Sequence, residues 1–119
     1  MVIGIDPGKS GGVAWFCPVS KEYGCTPMPE TRRQLFRLLD ELITTHGAAT
    51  AVVESVHSMP KQGVASTFKF GKGYGEILGI CTALDIHIVE PTPQAWKKVV
   101  LAGTDKSKDA AIQDRKSVV

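Results

Sequence analysis

Val2-Ile3-Gly4-Ile5-Asp6-Pro7-Gly8-Lys9-Ser10-Gly11-Gly12 runs from an apolar strand into a glycine-rich turn, with a carboxylate at the junction. Asp is depleted in strands and rarely buried alone. An acid at the end of a buried strand therefore calls for a metal ion, a cation or a set of turn amides. The pattern repeats at Ala51-Val52-Val53-Glu54-Ser55, where a second apolar run delivers Glu54. Side by side, two such strands would set Asp6 and Glu54 within reach of one divalent metal. Taken alone, Asp6 in Asp-Pro-Gly reads equally as a turn former bonded to nearby amides. The second strand-end acid is what favours the metal.

Working outward, residues 2–6 form a buried strand, 12–16 a second and 24–28 a weaker third, close enough in sequence for an antiparallel meander. Leu35, Leu38, Leu39, Leu42 and Ile43 recur at helical spacing over 32–45, and Gly47 stops that helix. The strand at 49–55 then arrives after a helix, which favours a parallel crossover. A loop covers 57–63. Residues 64–84 read as a helix despite Gly71, Gly73, Gly75 and Gly79, each costing about 1 kcal/mol against Ala, so close backbone packing or DNA contact is expected at some of them. A short strand at 86–90 follows, then a helix from Pro93 to Val100 capped by Thr92, and a last helix opening at Asp105. The order β-β-β-α-β-α-β-α is that of the ribonuclease H-like fold, an α/β architecture with a mixed five-stranded sheet and helices on both faces. There the first and fourth strands are parallel neighbours. Asp6 and Glu54 then meet at strand carboxyl ends, where ligands of open sheets bind.

The composition allows one soluble domain: 119 residues, 43% hydrophobic and 22% charged, with a net charge of only +2. A global basic field is excluded, but Lys and Arg outnumber the acids after residue 54, nine to six. An anionic partner is expected on that part. Cys17, Cys25 and Cys81 match no zinc or redox spacing and read as reduced thiols. With no signal-peptide layout and no membrane span in the sequence, the expected location is the cytoplasm.

Paired acids in such a crevice suit two-metal phosphodiester hydrolysis. Mg2+ is the expected ion, with Mn2+ able to substitute, because the donors are hard oxygens and no His/Cys cluster favours zinc. Gly8-Lys9-Ser10 does not complete a Walker motif, since Ile3 stands where the first glycine belongs. The same turn is similar to the phosphate loop of the actin-like ATPases, which are much longer proteins; an ATP-binding domain is the weakest alternative. In Phe68-Lys69-Phe70-Gly71-Lys72-Gly73-Tyr74, Lys69 and Lys72 could track phosphates while Phe70 stacks on bases. The other reading makes Phe68 and Tyr74 core residues and the lysines a solvated face. His57 reads as an ordinary loop residue and Trp96 as core.

Gly4-Ile5-Asp6-Pro7-Gly8, followed by Glu54 after an apolar strand, resembles the RuvC family of Holliday junction resolvases. The stretch from Met59-Pro60-Lys61-Gln62-Gly63-Val64-Ala65 to Thr92-Pro93-Gln94-Ala95-Trp96-Lys97-Lys98 is similar to its phage-borne members, and the likeness runs to Gln113. The resemblance implies a homodimeric, magnesium-dependent endonuclease that cuts four-way DNA junctions symmetrically, with no membrane association. It makes Asp6 and Glu54 metal ligands and sets Lys98 and Lys106 against DNA near the scissile phosphate; Lys61 is a further candidate DNA contact. The family completes its site with one or two further acids on a C-terminal helix. Asp105, Asp109 and Asp114 precede that position and do not fill it. Asp114-Arg115-Lys116-Ser117-Val118-Val119 departs from the family, and GATCGGAAGAGCGTCGTG, a run in a common short-read sequencing adapter, encodes it. The expectation is a nuclease domain over 1–113 lacking its C-terminal helix, a non-native tail over 114–119, and no activity in these 119 residues alone. A non-catalytic nucleic-acid-binding protein of the same fold is the alternative.

Overall fold

The computed structural model describes residues 1–55 and 63–92. Strand β1 (Val2–Asp6), β2 (Gly12–Phe16) and β3 (Tyr23–Pro27) form the antiparallel meander, with Asp6 opposite Gly12 and Gly12 opposite Pro27. After helix α1 (Arg32–His46), β4 (Thr50–Val53) returns parallel to β1, placing Val53 opposite Ile5. Helix α2 (Val64–Ala83) then leads to β5 (His87–Val89), parallel to β4. The open mixed sheet has the order β3-β2-β1-β4-β5, as expected for the ribonuclease H-like fold.

Alternation decides the core. Ile3, Ile5, Val13, Ala51 and Val53 point to one face, where they are buried against Leu35, Leu39 and Leu42 of α1 and Ile77 and Cys81 of α2. Thr31 closes a capping box on α1: its hydroxyl accepts from the Gln34 amide and the Gln34 side chain accepts from the Thr31 amide, both at 3.1 Å. Arg32 reaches across to Glu76 at 2.9 Å, tying α1 to α2. Both described helices belong to this face. The other presents Val2, Phe16, Tyr23 and Val89 exposed, and the second-face helices expected from the fold have no counterpart among the described residues. The helices expected from Pro93 and Asp105, most of the 57–63 loop and the tail from Asp114 lie outside the described residues.

Two sequence expectations shift. Helix α2 is continuous through all four glycines, yet a Cβ at Gly71, Gly73, Gly75 or Gly79 would meet nothing within 4 Å among the described residues. Close backbone packing therefore does not explain them there; Tyr74, Ile77, Ile80, Cys81 and Leu84 anchor the helix to the core instead. Strands β4 and β5 are also shorter than expected, so Glu54 and Glu90 stand just beyond the ends of their ladders.

Candidate functional site

The turn after β1 is built around two glycines. Gly8 has a φ of +110°, a conformation that side chains rarely adopt. Gly11 donates its amide to the Gly8 carbonyl at 3.1 Å and accepts from the Met28 amide at 3.0 Å. A Cβ on Gly11 would fall 1.9 Å from the carbonyl oxygen of Asp6. The chain thus folds back directly over the residue that carries the acid. Backbone groups close this turn. Among the described residues, neither the Asp6 nor the Glu54 carboxylate has a hydrogen-bond or ion-pair partner. The turn-former reading of the Asp6 side chain is not what the geometry supports.

Parallel pairing of β1 and β4 brings the acids together. Ile5 faces Val53 in the ladder, and the next residues are Asp6 and Glu54. Both line a depression of 560 Å³ shared with Gly12, Thr26 and Pro91. Two hard oxygen donors at adjoining strand ends, with no cation beside them among the described residues, fit a hard divalent ion. Among the described residues no group of three or more His, Cys, Asp or Glu side chains could hold a metal ion.

The basic and aromatic stretch divides. Lys69 and Lys72 are exposed, and Phe68 is 73% exposed, so Phe68 is not a core residue. Phe70 is half-buried, and a Cβ placed on Gly8 would lie 3.5 Å from its Cε2, so its ring edge rests beside the turn that follows Asp6. Tyr74 packs against the core, as the second reading had it. Lys61, Lys98 and Lys106, with His57, Trp96, Asp105, Asp109 and Asp114, lie outside the described residues.

Sequence reasoning missed what stands beside Glu54. The Tyr74 hydroxyl donates to Glu90 Oε2 at 2.5 Å. Ser55 donates its amide to the Pro91 carbonyl at 2.9 Å. Burial first, then the Glu90 carboxylate, push the Tyr74 phenol above its usual range, which keeps it a proton donor. A signal was present: Ile86-His87-Ile88-Val89-Glu90 is a third mainly apolar run ending in an acid.

No protein-family model matches the chain. Curated relatives do. Crossover junction endodeoxyribonuclease RuvC of Alkalilimnicola ehrlichii is 30% identical over 111 residues, which cover 84% of this chain and 66% of that protein. The protein of the same name from Nitratidesulfovibrio vulgaris (strain DP4) is 29% identical over 118 residues, covering 89% of this chain and 69% of that one. The chain belongs to the RuvC family. It spans about two thirds of the length of these RuvC relatives. In structure it is similar to RuvC of Thermus thermophilus in complex with a Holliday junction substrate, with a TM-score of 0.64 and 14% identity over 99% of this chain and 78% of that one. A second Thermus thermophilus RuvC structure gives a TM-score of 0.60 at 17% identity, covering 98% and 78%. These likenesses establish the RuvC fold. No helix among the described residues is long and apolar enough to cross a membrane.

Proposed function

We propose that this chain is the nuclease domain, over residues 1–113, of a crossover junction endodeoxyribonuclease that resolves four-way DNA junctions by magnesium-dependent phosphodiester hydrolysis. One observation carries the reading: in a chain of the RuvC family, Asp6 and Glu54 adjoin at the carboxyl ends of neighbouring parallel strands. Asp6 and Glu54 would hold Mg2+, or Mn2+ in its place. When bound, paired ions of this kind activate the attacking water and stabilise the leaving oxygen. The glycine turn presents the Asp6 carboxylate from a backbone with little freedom, and β4 presents Glu54 beside it. Exposed Lys69 and Lys72 would bind phosphates, which positions the junction without reading its sequence. Phe70, by its place beside the Asp6 turn, would bring an aromatic edge to the same DNA. The resemblance adds Lys98 and Lys106 as DNA contacts and a homodimer; Lys61 is a further candidate DNA contact, and the cytoplasm is the expected site of action.

The relatives' greater length supports a longer natural chain; by the resemblance its further acids stand on a C-terminal helix, and residues 114–119 are read as foreign to it. Amplifying the gene from its source tests this: a native stop after Val119 refutes it. In protein from the recovered gene, Asp6→Asn and Glu54→Gln should abolish junction cleavage and leave most junction binding intact, because metal chemistry and phosphate contacts are separable. Normal cleavage by either variant in Mg2+ would overturn the assignment. A second reading, a junction-binding protein without catalysis, is favoured by the lining of the depression, where Asp6 and Glu54 are the acids among the described residues. Binding without cleavage by the unaltered protein would establish it.

A further inference from the structure

The β1–β4 ladder weakens where the site begins. The Glu54 amide reaches the Ile5 carbonyl only at 3.4 Å, beyond the usual 2.7–3.2 Å of such bonds. Sheet pairing therefore does little to fix Glu54. What holds the chain immediately after it is a different contact, from the Ser55 amide to the carbonyl of Pro91, the residue that follows Glu90. Tyr74 is held by Glu90 at 2.5 Å and by packing against the core. Phe70, one helical turn earlier on the same face of α2, rests beside Gly8 in the turn that follows Asp6. One ridge of one helix thus meets the turn after Asp6 directly and the chain after Glu54 through Glu90 and Pro91.

We propose that Tyr74 is a positioning residue for the Asp6–Glu54 site, its hydroxyl fixing Glu90 and with it the adjoining Pro91 carbonyl that holds Ser55, and so setting where the Glu54 carboxylate stands relative to Asp6. The inference deepens the metal-nuclease reading and rests on it. A short hydrogen bond to a carboxylate is among the stronger kinds, and the phenol stays protonated, so the clamp holds across the neutral range. Glu90 acts here as an acceptor and not as a ligand. Gln at position 90 would still offer a carbonyl oxygen to the phenol; Ala would not.

The test uses protein from the recovered gene and four variants: Tyr74→Phe, Glu90→Ala, Glu90→Gln and the double variant Tyr74→Phe/Glu90→Ala. Tyr74→Phe keeps the ring and its packing. Binding of a synthetic four-way junction in metal-free buffer should stay within about twofold of the parent, with KM likewise unchanged. Mn2+ affinity, read by paramagnetic resonance titration without DNA, should weaken about tenfold, and kcat should fall by a similar factor. Glu90→Ala should match Tyr74→Phe, Glu90→Gln should recover most of the loss, and the double variant should be no worse than either single one. A merely structural Tyr74 would instead lower the melting temperature with kcat and Mn2+ affinity unmoved. That outcome, or losses that multiply in the double variant, would overturn the proposal. If the parent cuts junctions and binds Mn2+ through Asp6 while Tyr74→Phe equals it, the positioning role alone falls. If Asp6→Asn leaves both cleavage and Mn2+ binding unchanged in the parent, the nuclease reading falls and takes the positioning role with it.

Discussion

Replacing Gly11 by Ala should damage both the fold and the site. The new Cβ would lie 1.9 Å from the Asp6 carbonyl oxygen, 2.8 Å from its carbon and 3.1 Å from the Pro7 carbonyl oxygen. Real contacts of this kind do not fall below 3.0 Å, so the backbone must open by about 1 Å, and every neighbouring atom is backbone that cannot rotate away. Opening the turn breaks two hydrogen bonds, Gly11 to Gly8 at 3.1 Å and Met28 to Gly11 at 3.0 Å. Those two contribute about 1–3 kcal/mol together, and residual angular strain raises the expected loss to about 2–4 kcal/mol. In urea, with a slope of about 2 kcal/mol per molar, the midpoint should fall by about 1–2 M. The same shift moves Asp6, and a misplacement of about 1 Å at a reacting centre costs about a hundredfold in rate. Denaturation curves and junction cleavage in Mg2+ on protein from the recovered gene check both numbers. An unchanged midpoint with unchanged cleavage would refute the reasoning, because it would mean the turn has another conformation.

Gly75→Ala on α2 meets open space among the described residues, so its urea midpoint should rise by an amount equivalent to about 1 kcal/mol; a fall would show that the helix face is covered in solution. Thr31→Ala removes the hydroxyl of the capping box and should destabilise by about 1 kcal/mol, read from the same curves, with Thr31→Ser recovering most of it. Leu39→Ala empties a fully buried site between α1 and the sheet and should cost about 2–5 kcal/mol, a large share of a small domain's margin. Burial holds the Cys81 thiol up at about 11 against 9.0 for a free thiol, so the native state keeps a proton that the unfolded chain releases. Its contribution is fully present below pH 9 and is lost as the pH rises toward 11. Urea midpoints should fall over that interval, and Cys81→Ala should flatten the fall; an equal fall in the variant would assign it to another group.

Features that depend on neighbours a few positions apart were legible in the chain. Alternation along 2–6 and 12–16, helical spacing of Leu35, Leu39 and Leu42, and glycine punctuation at Gly8, Gly11 and Gly47 set the element order and place Asp6 and Glu54 at strand ends. Element order with a short meander and a helix crossover leaves few topologies, so the parallel pairing of β1 and β4 was legible too. Tertiary structure alone decided the rest. Whether a residue of α2 faces core, solvent or a loop depends on how the helix rolls on the sheet, and α2's own pattern is too evenly apolar to say. Hence Phe68 turned outward, Phe70 settled beside Gly8 and Tyr74 found Glu90. Tyr74 and Glu90 are sixteen residues apart and come together only when the parallel return of β5 beside β4 brings the end of that strand under the helix. A hydrogen bond of that kind leaves no periodicity in the chain, because it is made by packing geometry and not by local spacing.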